Sequence, residues 1–365
     1  MIRGPGLFVR RACANLSAGV HYSSGRLSMN AAVLTIIATL LVGGLALMAH
    51  WGKKNRNAEI SLIVILLSVS LLVAAFGILA GLGLLLASSG GGEAQVSQPL
   101  AVAAAGVAAI LAGVAGVALC VPPFLKVTGR RDAGFWSDPP IFFALWVFVL
   151  LLVNNVAGLL LVNQSSDIAA LVPGGVDRIS PGLVLLTELP FAVVAVLGVG
   201  IGARRSPRET LSRLGYGSVS LPQLGLAGLF VVGALFLSFA ADALFAHLQP
   251  ETYERVGEVS NRLFDPRGLS PLHAVLFALL IGVGAAAGEE TLFRGALQPV
   301  LGITLTSILF ASMHVQYGLS VVLGYVFLIS VALGFLRKRA NTTITFLAHS
   351  GYNSSSIVLA YLFGA

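Results

Sequence analysis

The stretch Gly288–Leu297, with the sequence GEETLFRGAL, places two adjacent carboxylates and an arginine at the end of an apolar run that begins near Leu272. A charged side chain at membrane depth costs at least ~2.5–3.5 kcal/mol, so such groups usually line a cavity and have a function. In a helix, positions i and i+4 share a face, which lets Glu290 pair with Arg294. Glu289 is rotated by about 100° and points elsewhere. The spacing therefore predicts one paired carboxylate and one that is free for chemistry.

The composition excludes a soluble domain. Of the 365 residues, 57% are hydrophobic and only 10% are charged, whereas a soluble domain carries about a quarter charged residues. We therefore predict an all-α, polytopic transmembrane helical bundle. The net charge of +7 comes from short basic clusters between apolar segments, a pattern that indicates membrane topology and argues against nucleic acid as a partner. Cys13 and Cys120 lie far apart in the sequence, so no disulfide framework or thiolate metal site is indicated.

Ten apolar segments approach the length of ~20 residues that a spanning helix needs. They are residues 31–50, 60–88, 99–125, 141–163, 182–203, 222–248, 271–290, 297–313, 319–336 and 341–363. The segment 297–313 is short, and we expect a half-embedded or displaced helix there. The glycine spacing in residues 106–119 predicts close helix packing. The mixed-charge segment 249–270 fits either an interfacial amphipathic helix or a solvated loop.

The first part of the chain gives little functional information. Residues 1–28 contain four arginines and no acidic residue; a transit peptide, a misassigned start and a disordered basic tail all fit this composition. Residues 29–221 are interpreted as a variable N-terminal transmembrane region of about five spans. Within apolar runs, Glu188 and Asp242 are expected to make structural pairs, and Asn154 and Asn155 interhelical hydrogen bonds.

Basic residues follow alternate spans. Thirteen lysines and arginines lie in the loops after the first, third, fifth and ninth segments, against four in the other loops. The positive-inside rule places the thirteen in the cytoplasm, and both termini outside. The same rule places Glu289 and Glu290 toward the cytoplasmic half of the membrane.

Two later apolar segments also carry polar residues at helical spacing. Phe310 and His314 share a face in ILFASMHVQYG, and so do His349 and Asn353 in FLAHSGYNSSS. A single buried histidine is commonly structural, but this concentration of histidine, asparagine, glutamate and arginine in one half of the chain indicates a shared site. We therefore expect Glu289, His314 and His349 to converge on one cavity.

These three motifs, in this order, resemble the signature motifs of the CAAX prenyl protease and bacteriocin-processing family of intramembrane proteases, also called CPBP or Abi. The residues that carry the resemblance are Glu289-Glu290-xxx-Arg294, Phe310-xxx-His314 and His349-xxx-Asn353. The resemblance covers roughly residues 222–363 and identifies residues 222–365 as the protease domain. It implies an intramembrane endopeptidase whose substrate is a membrane-associated peptide or a lipidated protein.

The resemblance also implies roles for individual residues. Glu289 would act as the general base on a water molecule, and His314 would help to bind and orient that water. His349 and Asn353 would donate hydrogen bonds to the oxyanion. As supporting residues, Arg294 would hold Glu290 ionised and fix the helix rotation, while Phe310 would pack one turn below His314.

Three alternatives stay open at this point. Zn²⁺ is one, because family members are often described as metalloproteases; its ligands would be Glu289, His314 and His349. The pattern is not HExxH, so the metal-free glutamate mechanism is preferred. A non-catalytic immunity or interaction protein of the same fold is the second alternative, and a proton-coupled transporter is the third. In each case we expect a multi-pass protein of the bacterial cytoplasmic membrane, with membrane lipids as partners; the oligomeric state stays open.

The distribution of bases gives a test of topology. Single cysteines placed at Lys53, Arg130, Arg205 and Lys338 are expected to react with a membrane-impermeant thiol reagent only from the cytoplasmic side. Labelling of any two of these positions from opposite sides would contradict the predicted arrangement of spans.

Overall fold

The computed structural model describes residues 29–89, 99–129, 137–162 and 179–363, and its regular elements in these ranges are all helical. The predicted all-α polytopic bundle is confirmed. The basic tail predicted for residues 1–28 lies outside the described residues.

Twelve α-helices are present in the described ranges. They are α1 (Met29–Gly52), α2 (Arg56–Ser89), α3 (Pro99–Val127), α4 (Pro139–Val162), α5 (Pro181–Gly198), α6 (Pro207–Leu214), α7 (Leu221–Leu248), α8 (Pro250–Phe264), α9 (Pro271–Glu289), α10 (Gln298–Ser312), α11 (Val321–Arg339) and α12 (Thr342–Phe363). A π-helix, Glu290–Leu297, joins α9 to α10, and a 3-10 turn, Val315–Tyr317, follows α10.

All ten predicted segments contain a helix, but only eight stretches of the described chain are long and apolar enough to cross a membrane. The number falls because α9, the π-helix and α10 follow one another without a loop and count as one stretch, Pro271–Ser312, of 42 residues, although the chain is kinked at Gly302. The last helix, α12, is absent from the eight because His349, Asn353 and several serines make it more polar than an ordinary spanning helix.

Glycines bring the helices of the N-terminal half into close contact, as predicted. A Cβ atom added at Gly113 of α3 would lie 2.6 Å from the backbone oxygen of Ser70 and 2.6 Å from Cβ of Ala74, both on α2. Beside this contact, Trp146 Nε1 of α4 donates a hydrogen bond of 2.9 Å to Ser70 Oγ. Small residues thus allow α2 and α3 to touch along their backbones, and α4 closes the layer.

The segment predicted as either an amphipathic helix or a solvated loop is the helix α8. Val256 and Leu263 are buried, while the first turn carries the acidic Glu251. The hydroxyl of Tyr253 donates to Asp242 Oδ2 at 3.3 Å, which joins α8 to α7. The structural pairing predicted for Asp242 is therefore confirmed.

Polar contacts join the basic loops to one another. Lys53, after α1, forms an ion pair with Asp138 at the start of α4. His50 Nε2, in the last turn of α1, donates to the backbone oxygen of Gly198 at the end of α5 over 2.9 Å. The loops after α1, α3 and α5 therefore meet at the same end of the bundle.

The loop after α6 extends this contact to the end of α11. Thr342 donates from its backbone N–H to Gly215 O at 2.9 Å and from its hydroxyl to Leu214 O at 2.6 Å. Asn341 Nδ2 donates to Ser218 O at 2.8 Å. All four basic loops thus lie at one end of the bundle, here called the basic end, as their alternation predicts. The side of the membrane that the basic end faces stays a prediction.

The glycine contact between α2 and α3 can be tested by substitution. Gly113→Ala should lower the free energy of unfolding by about 1–3 kcal/mol, because the new methyl group meets backbone atoms and the helices must separate. Gly81→Ala in α2 is the matched control, because a Cβ atom there has no neighbour within 4 Å. Denaturant titration in detergent micelles measures both, and equal stabilities would contradict the packing.

Candidate active site

The carboxylate pair lies where α9 changes into the π-helix Glu290–Leu297. Such wide turns are rare and occur frequently at functional sites. Arg294 Nε lies 3.4 Å from Glu290 Oε2, and the two side chains are 1% and 0% exposed. The predicted pair therefore forms, although the helix that carries it is π rather than α.

The Arg294 guanidinium has partners beyond Glu290. Its Nη2 donates to the hydroxyl and backbone oxygens of Ser330 on α11, at 3.1 and 3.2 Å. Its Cζ lies 4.6 Å from the ring centroid of Phe310, a cation–π contact. Phe310, expected only to pack, thus also stabilises the buried cation. Glu290 Oε2 and Arg294 Nε lack hydrogen-bond geometry in the described chain, so attraction between charges holds this pair.

His349 of α12 connects the two glutamates. Its Nδ1 lies 2.9 Å from Glu290 Oε1, and its Nε2 lies 3.6 Å from Glu289 Oε2. A carboxylate only accepts hydrogen bonds, so Nδ1 carries the proton that it donates to Glu290. Gly282 permits the approach of α12 to α9, because a Cβ atom there would lie 2.7 Å from Ser350 O. The sequence predicted convergence of Glu289 and His349 but not the second bond of Glu290.

His314 follows the short helix α10. This helix has 15 residues and a non-helical Gly302, with φ 77° and ψ 178°. The ten residues after this kink, 303–312, span about 15 Å, roughly half the ~30 Å thickness of the hydrocarbon core. The short segment predicted here is therefore confirmed, and it ends next to the other motifs.

The His314 ring is held on both sides. Nδ1 lies 3.0 Å from the backbone oxygen of Phe310, which fixes the proton on Nδ1 and leaves Nε2 of the neutral ring as an acceptor. Tyr317 stacks on the ring at 5.9 Å between centroids. The ring of Phe310 lies 5.1 Å from that of His314 and 6.1 Å from that of His349, so it packs against both imidazoles.

Asn353 lies one turn beyond His349 on α12 and is half-buried. In the described chain its side chain makes no hydrogen bond to the other motif residues. The structure therefore brings six of the seven motif residues into one connected cluster and leaves the amide of Asn353 uncommitted beside it.

A comparison with protein families agrees with this cluster. The family model described as type II CAAX prenyl endopeptidase Rce1-like matches residues 271–355. The chain carries an Rce1-like domain. This match confirms the predicted resemblance to the CAAX protease family and indicates a membrane endopeptidase. No match was found among curated proteins or among solved structures.

The Rce1-like domain runs from the start of α9 to Ser355 in α12, and all seven motif residues lie inside it. Helices outside it also reach the site. Asn155 Nδ2 of α4 donates to Ser312 Oγ at 3.1 Å, which confirms the interhelical hydrogen bond predicted for Asn155. Asn154 Nδ2 instead donates to Asn155 Oδ1 in the same helix, at 3.5 Å. Helix α4, which precedes residue 222, thus packs against the end of α10 next to His314.

Glu188 of α5 is a carboxylate next to the site that sequence analysis assigned to structural pairing. A Cβ atom added at Gly288, the neighbour of Glu289, would lie 2.6 Å from Glu188 Oε2. Within the described chain this oxygen is buried and has no hydrogen-bond partner. The predicted pairing is therefore not observed at Oε2. The sequence shows that Glu188 is an acidic residue inside an apolar run, which marks it as unusual. Its position beside Glu289 depends on how α5 packs against α9, which the sequence does not show.

The cluster lies toward the basic end of the bundle. Arg213 Nη1 donates to Gly295 O of the π-helix at 3.2 Å, and the hydroxyl of Tyr216 lies 2.5 Å from Thr291 Oγ1. Both contacts come from α6 and the loop after it, next to the basic loops. This position agrees with the depth that the sequence predicts for the carboxylates.

The zinc alternative stays a prediction. No group of three His, Cys, Asp or Glu side chains among the described residues could hold a metal ion. We therefore derive no step through a metal ion.

The buried pair predicts different effects for two neighbouring substitutions. Glu290→Gln should lower the free energy of unfolding by ~3–5 kcal/mol, because it leaves the Arg294 charge buried and unpaired. Glu289→Gln is the matched control and should change stability little, since its side chain is 14% exposed and its ion-pair contact with His349 is 3.6 Å long. Denaturant titration in detergent compares the two, and equal losses would contradict this assignment.

Proposed function

We propose that the chain is an intramembrane endopeptidase in which Glu289 activates a water molecule for attack on a peptide carbonyl. One observation carries this proposal: His349 bridges Glu290 and Glu289 at 2.9 and 3.6 Å, beside a buried arginine. Of the two carboxylates, Glu290 is committed to Arg294 and His349. Glu289 has the longer contact and the greater exposure, so it is the one that can take a proton from water.

The bridging imidazole supports a path for that proton. With Nδ1–H bonded to Glu290, a neutral His349 directs its Nε2 lone pair toward Glu289. When Glu289 has accepted the proton of the attacking water, it can donate to this nitrogen, and Glu290 stabilises the imidazolium that forms. The proton then returns through Glu289 to the leaving amine as the peptide bond breaks. Hydroxide from the water stays on the carbonyl carbon, which completes the hydrolysis.

The other two polar residues complete this mechanism. Nε2 of neutral His314 is an acceptor and can hold the second hydrogen of the attacking water. The resemblance implies that His349 and Asn353 donate to the oxyanion, but both nitrogens of His349 face carboxylates. We therefore assign oxyanion stabilisation to the uncommitted amide of Asn353.

The setting of the site suggests its substrates. The carboxylates lie among apolar spans near the basic end, which the positive-inside rule places in the cytoplasm. A membrane-associated peptide or a lipidated protein can present a peptide bond at that depth. In this proposal residues 222–365 form the protease domain, and residues 29–221 support it through contacts such as those of Asn155 and Glu188.

Cleavage by purified protein in liposomes tests the proposal. Wild type should cleave lipidated or membrane-embedded peptides, and Glu289→Gln should lower kcat by about 10²–10⁴-fold, because the amide keeps the shape of the side chain and loses its basicity. Glu254→Gln on the exposed face of α8 is the matched control and should retain activity.

Activity that survives Glu289→Gln would overturn the assignment of the base. A folded wild-type protein that cleaves none of these peptides would favour the non-catalytic interaction protein.

A further inference from the structure

Two arginines at the basic end are held in fixed positions outside the site described above. Arg337, in the last turn of α11, packs its guanidinium on Gly215, so closely that a Cβ atom there would overlap Nη2. Gly215 caps α6 with a φ of 78°. Arg213, in the last turn of α6, donates to Gly295 O at 3.2 Å. The chain therefore brings the two guanidinium groups to the same place, where α6 meets α11.

The positive charges at this place have no acidic partner in the described part of the chain. Among the described residues, no ion pair is formed by Arg213 or Arg337, and Arg337 Nε is buried without a hydrogen-bond partner. The acidic residue of α6, Glu209, is bonded at 2.8 Å to both the backbone N–H and the hydroxyl of Ser206. Glu209 offsets part of the charge of Arg205, whereas the charges of Arg213 and Arg337 repel one another without compensation from a carboxylate in the described chain.

The direction of the Arg213 pKa shift agrees with the closeness of these positive charges. Burial, and then the positive charges of Arg205 and Arg337, lower the pKa of Arg213. Arg205 lies at the margin of the cluster, where it donates to the backbone oxygen of Val199. Like charges held together in this way favour the binding of an anion, which removes the repulsion.

Two simpler explanations do not account for the cluster. Topology requires only basic residues on one side of the membrane, and exposed ones such as Arg208 and Lys338 supply these without any need for burial. The carbonyl groups at a helix C-terminus attract cations, but their summed charge is only about half an electron charge. The full positive charge of each guanidinium group is larger than the partial negative charge of a helix C-terminus.

We propose that Arg213 and Arg337, with Arg205 at the margin, bind the phosphate of an anionic lipid head group. A guanidinium donates two parallel hydrogen bonds to phosphate oxygens, which matches the ligand class to these side chains. A lipid is favoured over a soluble anion because Arg337 lies in the last turn of α11, a helix long and apolar enough to cross a membrane, where a lipid head group can reach it. The proposal does not depend on the peptidase activity.

Native mass spectrometry of the purified full chain tests the proposal. The protein is equilibrated with equal amounts of phosphatidylglycerol and phosphatidylcholine, and the lipid retained is counted. Wild type should retain phosphatidylglycerol in preference. Arg213→Gln and Arg337→Gln should each weaken this retention by about tenfold or more, the effect of losing a charge-assisted hydrogen bond to phosphate.

Matched variants separate a built site from general surface charge. Arg208→Gln removes one exposed charge from the same helix and should leave retention unchanged. Arg213→Lys keeps the charge and should retain most of the binding. An equal loss in Arg208→Gln, or no loss in the two site variants, would overturn the proposal.

The wild-type protein provides a test that requires no substitution. Equal retention of phosphatidylglycerol and phosphatidylcholine by wild type would overturn the proposal even if the site variants fail to fold. Displacement of the lipid by inorganic phosphate at the same concentration as the lipid would overturn the assignment to a lipid in favour of a soluble anion.

Discussion

The buried ion pair between Glu290 and Arg294 is the interaction on which the arrangement of the site depends. Both charges are almost completely removed from solvent, and removing charges from water is costly unless each one has compensating partners. These partners come from three other helical segments: Ser330 of α11, the ring of Phe310 on α10 and His349 of α12. The requirement to compensate one buried pair therefore also fixes the relative positions of the helices that carry the motifs.

Close helix packing makes these contacts possible. Gly282 lets α12 approach α9. Gly288, directly before Glu289, lets the backbone of α5 approach α9. The π-helix joins α9 to α10 and keeps Arg294 beside Glu290. Because these contacts involve backbone atoms, side-chain adjustment alone cannot relieve an added methyl group.

The N-terminal helices contribute to the site although no motif lies in them. Asn155 donates a hydrogen bond to Ser312 at the end of α10. Glu188 Oε2, which has no hydrogen-bond partner in the described chain, lies against Gly288, the residue before Glu289. Phe148 of α4 belongs to the same apolar cluster as Phe293 and Phe310. The Rce1-like match ends at residue 355 and starts at residue 271, so the packed environment of the site extends well beyond the matched residues.

The sequence by itself determined the helical membrane fold, the helical segments and the residues of the cluster, because hydropathy and the cost of charge in lipid act locally along the chain. It also predicted the Glu290–Arg294 pair from spacing alone. Only the tertiary structure decided that His349 bonds to Glu290 and that Glu188 lies beside Glu289. Those contacts join residues far apart in sequence, and their geometry depends on which helix faces pack together, which no local pattern specifies.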